Sequence, residues 1–409
     1  MGQRRRRRRR RGCIHTVAVT GGLFCLVVAI LSISYGLGLR TGVVEELEKE
    51  LTKPKEIPFQ EAVITEDELG QKFYYQKLSE EERLVYREIL DGIRGNVEEI
   101  YIHASQAERA NQIFQDILKD QPDIFWCDGT ITATTYDGEE PYTVLKPVYT
   151  YDAAAKESMK AQIEASSADC LAGIDGAASE YEKILYIYEY IVNTVDYDLE
   201  APDNQNIYSV FYHHRSVCAG YSKAAQYLLE RLGVFCTYVT GTTSGGQNHA
   251  WNLVMCEGDY YYVDVTWGDP VFQASEGEEV NQFENISYDY MCCDDAQLLR
   301  NHTPDPGVDL PECTTMNRNY YVMNNMYYNS YDSGMVLQRM NDVIAARENP
   351  VVLKFADNAL YSQAHDDVFQ NVVKSAAQSL ADQYGLMEVR YQYMDEPESN
   401  KITIYWQYE

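Results

Sequence analysis

The sequence predicts an α+β protein. Its core is a cysteine-bearing helix packed on an antiparallel sheet. Smaller α/β modules flank the core, and a transmembrane helix precedes it. Three observations point this way. Strand-like segments follow one another from 234 to 267 with only short turns between them, which is the pattern of antiparallel pairing. A helical segment that opens at Cys218 and stops at Gly233 stands immediately before them. Residues 13–39 contain no Asp, Glu, Lys or Arg, and about 20 apolar residues suffice for a membrane-crossing helix.

The order of elements follows from local chemistry. Arg4 to Arg11 are all arginine, so residues 1–12 are a basic cytoplasmic segment and 13–39 the span that follows. The arginines fix the N-terminus inside and the body outside the membrane. A cleaved signal peptide is the competing reading, but its apolar core usually runs only ~7–15 residues. Residues 40–70 are charged, carry Pro54 and Pro58, and read as a linker. An N-terminal α/β module is expected over 71–151. Ser79 with Glu82 forms a capping box for a helix to about Ile93, followed by a strand at 97–104. A helix over 106–119 and a strand pair around a polar turn complete the module. Two helices, about 152–170 and 177–195, open the central domain at 152–315, and 200–216 reads as polar loop. The C-terminal module, 316–409, shows helix, strand, helix and two strands. That order resembles 79–150 and suggests a distant duplication, without any residue-level repeat.

Charge narrows the partners. The net charge is −29, and subtracting the +8 of the arginine run leaves −37 for the rest. A body that acidic repels nucleic-acid phosphates, so no nucleic-acid partner is expected. Tyrosine is abundant, 35 residues against 11 phenylalanines, which suits half-buried sheets and polar grooves. Ten cysteines show no CxxC pair, and the seven histidines show no HExxH pair. No metal site and no cofactor is expected.

The chemistry concentrates in SVCAGYSKAAQYLLERLG and the two strands after it. A thiol at a helix N-terminus faces unpaired N–H groups and the positive end of the dipole, which favour thiolate. Gly220 permits close backbone approach beside it. A two-residue turn at Glu257-Gly258 pairs Cys256 with Asp259. That register sets Trp251 opposite Asp264 and His249 diagonal to it on the same face. A one-residue slip would put the two groups on opposite faces. Cys218, His249 and Asp264 therefore supply a sulfur nucleophile, an imidazole base and a carboxylate to hold its tautomer.

VCAGYS, NHAWN and VDVTWGDP resemble the three motifs of the transglutaminase-like superfamily, whose fold is similar to that of papain-type cysteine proteases. The resemblance covers about 180–270. It implies Cys218 as nucleophile, His249 as base and Asp264 as third member, with Trp251, Trp267, Asp269 and Pro270 as structural support. His213-His214-Arg215-Ser216 departs from the small or glycine-containing turn often found before the cysteine. Tyr208 and Tyr212 are weak candidates for a side-chain oxyanion donor, and the Cys218 backbone N–H is the safer one. The expected function is a membrane-anchored, extracytoplasmic thiol enzyme that opens amide bonds of peptide or protein substrates through a thioester. Hydrolysis and acyl transfer both remain open. The alternative is a surface binding or scaffold protein that keeps this fold without turnover.

Overall fold

The computed structural model describes residues 56–269 and 286–408. The basic segment 1–12, the expected span 13–39, most of the linker and Pro270 lie outside these residues. No helix among the described residues is long and apolar enough to cross a membrane.

The chain divides into two compact units. One comprises residues up to Val63, Glu80–Ile113 and Ile131–Pro147; the other comprises Ile64–Ser79, Phe114–Thr130 and Val148–Glu409. The first is built from α1 (Glu80–Arg94), β1 (Ile100–Ile102), α2 (Ala107–Asp120), β2 (Cys127–Tyr136) and β3 (Tyr142–Tyr149), with α2, β2 and β3 each shared with the second. Helix α1 opens with three glutamates and closes on Arg94, charges that complement its dipole. Val85, Ile89 and Ile93 recur at helical spacing and are buried. The sheet order is β1-β3-β2.

The second unit holds the cysteine helix. Helices α3 (Ala153–Leu171) and α4 (Glu180–Thr194) lead into it, and α4 starts on a full capping box between Ser179 and Glu182. The expected loop at 200–216 is more structured than its composition suggests. Two-residue strands β4 (Asp196–Tyr197) and β5 (Arg215–Ser216) pair in parallel, and Ser209–His213 forms a π-helical turn. Helix α5 (Cys218–Arg231) follows, and Gly233 takes the left-handed conformation just after it, with φ +77°.

Strands β6 (Cys236–Thr243), β7 (Asn248–Cys256), β8 (Asp259–Val263), β9 (Met291–Cys293) and β10 (His302–Pro304) form an antiparallel sheet ordered β10-β6-β7-β8-β9. Cys256 pairs with Asp259 as expected, and Glu257 and Gly258 both have positive φ, as a two-residue I′ hairpin requires. One expectation needs correction: the last strand does not run to Trp267. It ends at Val263, and Thr266–Gly268 is a 3₁₀ turn. The Asp264 N–H bonds Tyr290 O, so the chain leaves the β7 ladder at that residue.

The C-terminal part adds β11 (Tyr327–Tyr328), α6 (Ser333–Ala346), β12 (Val351–Phe355), α7 (Asn358–Asp367), α8 (Val373–Tyr384), β13 (Tyr391–Glu396) and β14 (Lys401–Trp406). The expected single helix is two, joined through a π turn at Val368–Val372, and β13 begins later than the segment at 387–394 suggests. The sheet order is β11-β12-β14-β13, so β12, β14 and β13 repeat the first-third-second arrangement of β1, β3 and β2.

Candidate active site

Helix α5 presents Cys218 as its first residue, and no side chain caps the preceding Val217 position. The first N–H groups of the helix therefore stay available beside the sulfur. Gly220 is required here by space. A Cβ at that position would lie 1.9 Å from Ser216 Oγ and 3.2 Å from Asn204 O. Ser216 Oγ is itself held, 2.6 Å from Ser209 Oγ and 3.0 Å from Asn204 O. The segment that composition marks as loop thus forms a hydrogen-bonded seat for the helix mouth.

The helix is tied to the histidine strand by hydrogen bonds at two positions just past His249. Ser222 Oγ donates to Ala250 O at 2.9 Å, and Asn252 Nδ2 donates to Ser222 O at 3.0 Å. Ser222 and Asn252 are both fully buried, so these bonds exchange with little water and fix the spacing between sulfur and imidazole. Tyr221 adds a third tie, its hydroxyl 2.7 Å from Val195 O and 2.8 Å from Asp269 Oδ2.

The three expected site residues come together. His249 Nε2 lies 2.7 Å from Asp264 Oδ2, and the Cys218 side chain is close enough to the imidazole to help hold its proton. With Nε2 committed to the carboxylate, Nδ1 is the ring nitrogen left for sulfur. Asp264 is wholly buried, and its Oδ1 accepts the Trp267 N–H at 3.2 Å. The 3₁₀ turn that ends β8 is what supplies this donor. Burial alone would lower the His249 pKa, but the Asp264 charge, its hydrogen bond and the Cys218 contact outweigh it and push the value up to about 10. Burial would likewise raise Asp264. The His249 charge and the hydrogen bonds from His249 and His302 override it and hold the carboxyl well below the usual range.

His302 is the site residue that the sequence reading missed. It sits on β10, pairs with Thr243 of β6, and is buried. Its Nε2 lies 3.1 Å from Asp264 Oδ2 and its Nδ1 lies 2.7 Å from Asn301 Oδ1. Gly241, opposite His249 on β6, makes room for β10. A Cβ there would fall 2.2 Å from Thr303 O and 2.6 Å from the Trp251 ring. Trp251, Trp267 and Tyr290 surround the His302 ring at centroid distances of 5.1, 4.7 and 5.2 Å. The two tryptophans of the motifs thus wall in both imidazoles.

Ligand atoms of His249, Asp264 and His302 fall within 4.8 Å of one another, a grouping that could hold a metal ion. The separations of 2.7 and 3.1 Å between carboxylate oxygen and imidazole nitrogens are hydrogen-bond lengths. Nitrogen and oxygen ligands around tetrahedral zinc would stand about 3.3 Å apart, given bonds of about 2.0–2.1 Å. A hydrogen-bonded relay describes the arrangement better than a metal centre.

The Tyr208 hydroxyl donates to Gln162 Oε1 at 2.8 Å, and its ring stacks on that of Tyr212, which is exposed. His213 packs edge-on against those two rings, and His214 is exposed with φ +53°. All eight described cysteines are free of disulfides. Cys218 is partly accessible and the other seven are buried.

Residues 169–265 match the sequence model of the transglutaminase-like superfamily, and that stretch contains Cys218, His249 and Asp264. The chain is 24% identical over 188 residues to the kyphoscoliosis peptidase of Mus musculus, covering 39% of this chain and 26% of that protein. It is 24% identical over 232 residues to the kyphoscoliosis peptidase of Homo sapiens, covering 46% and 33%. The match thus spans about a quarter to a third of the length of these relatives. A solved structure described as "Crystal structure of a TGase" shares 14% identity over 55% of this chain and 62% of that one, with a TM-score of 0.26.

Proposed function

We propose that the transglutaminase-like domain of this chain is a working thiol enzyme that opens amide bonds of peptide or protein substrates through a thioester on Cys218. The observation that carries this reading is the continuous contact from Cys218 through His249 to Asp264, with the carboxylate held in turn by His302 and the Trp267 N–H. His249 takes the thiol proton, and sulfur attacks the substrate carbonyl. The N–H groups at the mouth of α5 face the oxygen that becomes negative. Collapse of the intermediate expels the amine, which takes its proton from His249. Water then releases the acid, or a second amine takes the acyl group. Asp264 holds the imidazole tautomer and stabilises imidazolium beside thiolate.

The chain is further proposed to be anchored by residues 13–39, with the basic N-terminus cytoplasmic and the catalytic body outside. Peptide or protein at the cell surface is then the substrate class.

Cys218→Ala tests the reading. The side chain is partly accessible at a helix start, so its truncation should leave the thermal midpoint nearly unchanged. Amide turnover should fall to background. Full turnover in a folded variant would remove Cys218 from the mechanism.

A further inference from the structure

A cavity of about 450 Å³ lies beside the cysteine helix, with Ala219, Lys223 and Tyr238 among its lining residues. Ala219 follows Cys218 directly. Lys223 stands one turn further along the same helix, and Tyr238 reaches in from β6. The Tyr238 phenol is close enough to Cys218 to feel charge on its sulfur. Two features of these groups are unusual. The Lys223 ammonium has no carboxylate partner among the described residues. Its contacts are Gln205 O at 3.3 Å and the face of the Tyr238 ring at 5.5 Å. The Tyr238 hydroxyl likewise has no hydrogen-bond partner among the described residues, although its backbone carbonyl accepts one from Tyr74.

A half-buried ammonium whose one acceptor is a neutral carbonyl, and an unengaged phenol O–H on the same cavity wall, are two donors without a carboxylate. Two other buried lysines among the described residues do have a carboxylate: Lys401 Nζ lies 2.5 Å from Asp289 Oδ2, and Lys354 binds the same carboxylate. The cavity also contains Asp128 and Asp203, but both are engaged by neutral donors. Asp203 accepts from the Tyr151 hydroxyl at 2.7 Å and Asp128 from the Thr130 N–H at 2.8 Å. Lys119, which rests over the Tyr74 ring, brings the lining to two lysines against two aspartates. The cavity therefore has no excess charge to attract anions in general. What it offers is a directed pair of donors next to the thiol.

We infer that this cavity is a carboxylate-binding subsite, in which Lys223 Nζ and the Tyr238 hydroxyl read an acidic group of the peptide substrate beside the scissile amide. The inference rests on the thiol-enzyme reading and adds a substrate class to it, acidic peptides. Both donors are in the required state at neutral pH. Burial pulls the Lys223 pKa down, to about 8, with partial relief from Cys127, so the ammonium still predominates at pH 7. Burial and the charges of Cys218 and Asp305 push Tyr238 up, so the phenol keeps its proton.

The experiment uses tripeptide chloromethyl ketones with glutamate or glutamine at each position in turn, reacted with the full chain. Intact-protein mass gives the rate of Cys218 alkylation. At one position the glutamate probe should react about tenfold faster than its glutamine partner, the effect of a hydrogen-bonded charge pair. Lys223→Met, which keeps the apolar stem, should bring that ratio close to one. Tyr238→Phe should lower it a few-fold. Taking ratios removes any general loss of reactivity in the variants, and circular dichroism shows that each is folded. Equal rates at every position in the native protein would overturn the subsite. A preference that survives Lys223→Met would take Lys223 out of it. If no probe alkylates Cys218 at all, the thiol-enzyme reading itself fails, and the subsite with it.

Discussion

Asp264 gathers three hydrogen bonds on two oxygens, and the reach of this one carboxylate sets the properties of the whole site. His249 gains its high pKa from it. In the folded protein the value is about 10, against 6.5 for a free imidazole. A raised folded pKa stabilises the fold fully below 6.5, and that contribution is lost as pH rises through about 10. Asp264 works in the opposite sense. Its depressed pKa stabilises above the ordinary carboxylate range and is lost as pH falls below it. Asp264→Asn should therefore cut kcat by about 10²- to 10⁴-fold with little change in KM. The alkaline limb of the rate, governed by loss of the imidazolium, should move down from near pH 10 toward 6.5. His302→Ala should lose about tenfold in kcat because a hydrogen bond that positions the charged carboxylate is removed, while the alkaline limb stays near its native position because Asp264 keeps its charge and its bond to His249. His302→Gln, which can still donate, should recover part of the lost rate. A pH–rate profile of the three variants checks this. An alkaline limb that stays put in Asp264→Asn would dissociate His249 from Asp264.

At the scale of elements, the site depends on how α5 meets β7. The closeness of His249 and Asp264 was legible in the sequence from one hairpin register, Cys256 pairing with Asp259, although Asp264 itself stands one residue past the strand; Cys218 was legible from its place at a helix start and from its motif. Three things were not legible. The strand stops at Val263, since the Asp264 N–H turns to Tyr290, a residue beyond the acidic stretch that follows Trp267. His302 reaches the site through β10 pairing with β6, across more than fifty residues of sequence, and no local periodicity announces such a partner. The seat under the helix mouth comes from hydroxyls and carbonyls at Ser209, Ser216 and Asn204, in a segment whose composition resembles a solvated loop. That seat gives an element-scale prediction. Gly220→Ala places a methyl where Ser216 Oγ stands. Overpacking of this kind costs about 1–3 kcal/mol. Urea unfolding should show a loss in that range, and activity should fall further than stability because the helix mouth shifts. An unchanged midpoint with unchanged turnover would mean that the seat yields freely.

At the scale of the whole molecule, the two flanking sheets share the first-third-second strand order, which the repeated element order hinted at and no residue pattern supports. The acidic body and the arginine run at the N-terminus define a charge axis along the chain. Protease added to intact cells should digest residues beyond about 45, and complete protection would reverse the proposed topology. The central claim is narrower than topology: Cys218 forms an acyl bond with substrate. Its most direct test is intact mass spectrometry of the purified chain quenched in acid after brief exposure to peptide pools. The account predicts a mass increase equal to an acyl fragment, mapped to Cys218, released by hydroxylamine and lost in Cys218→Ala. An adduct on another residue, or cleaved product with no adduct under conditions that trap thioesters, would contradict it.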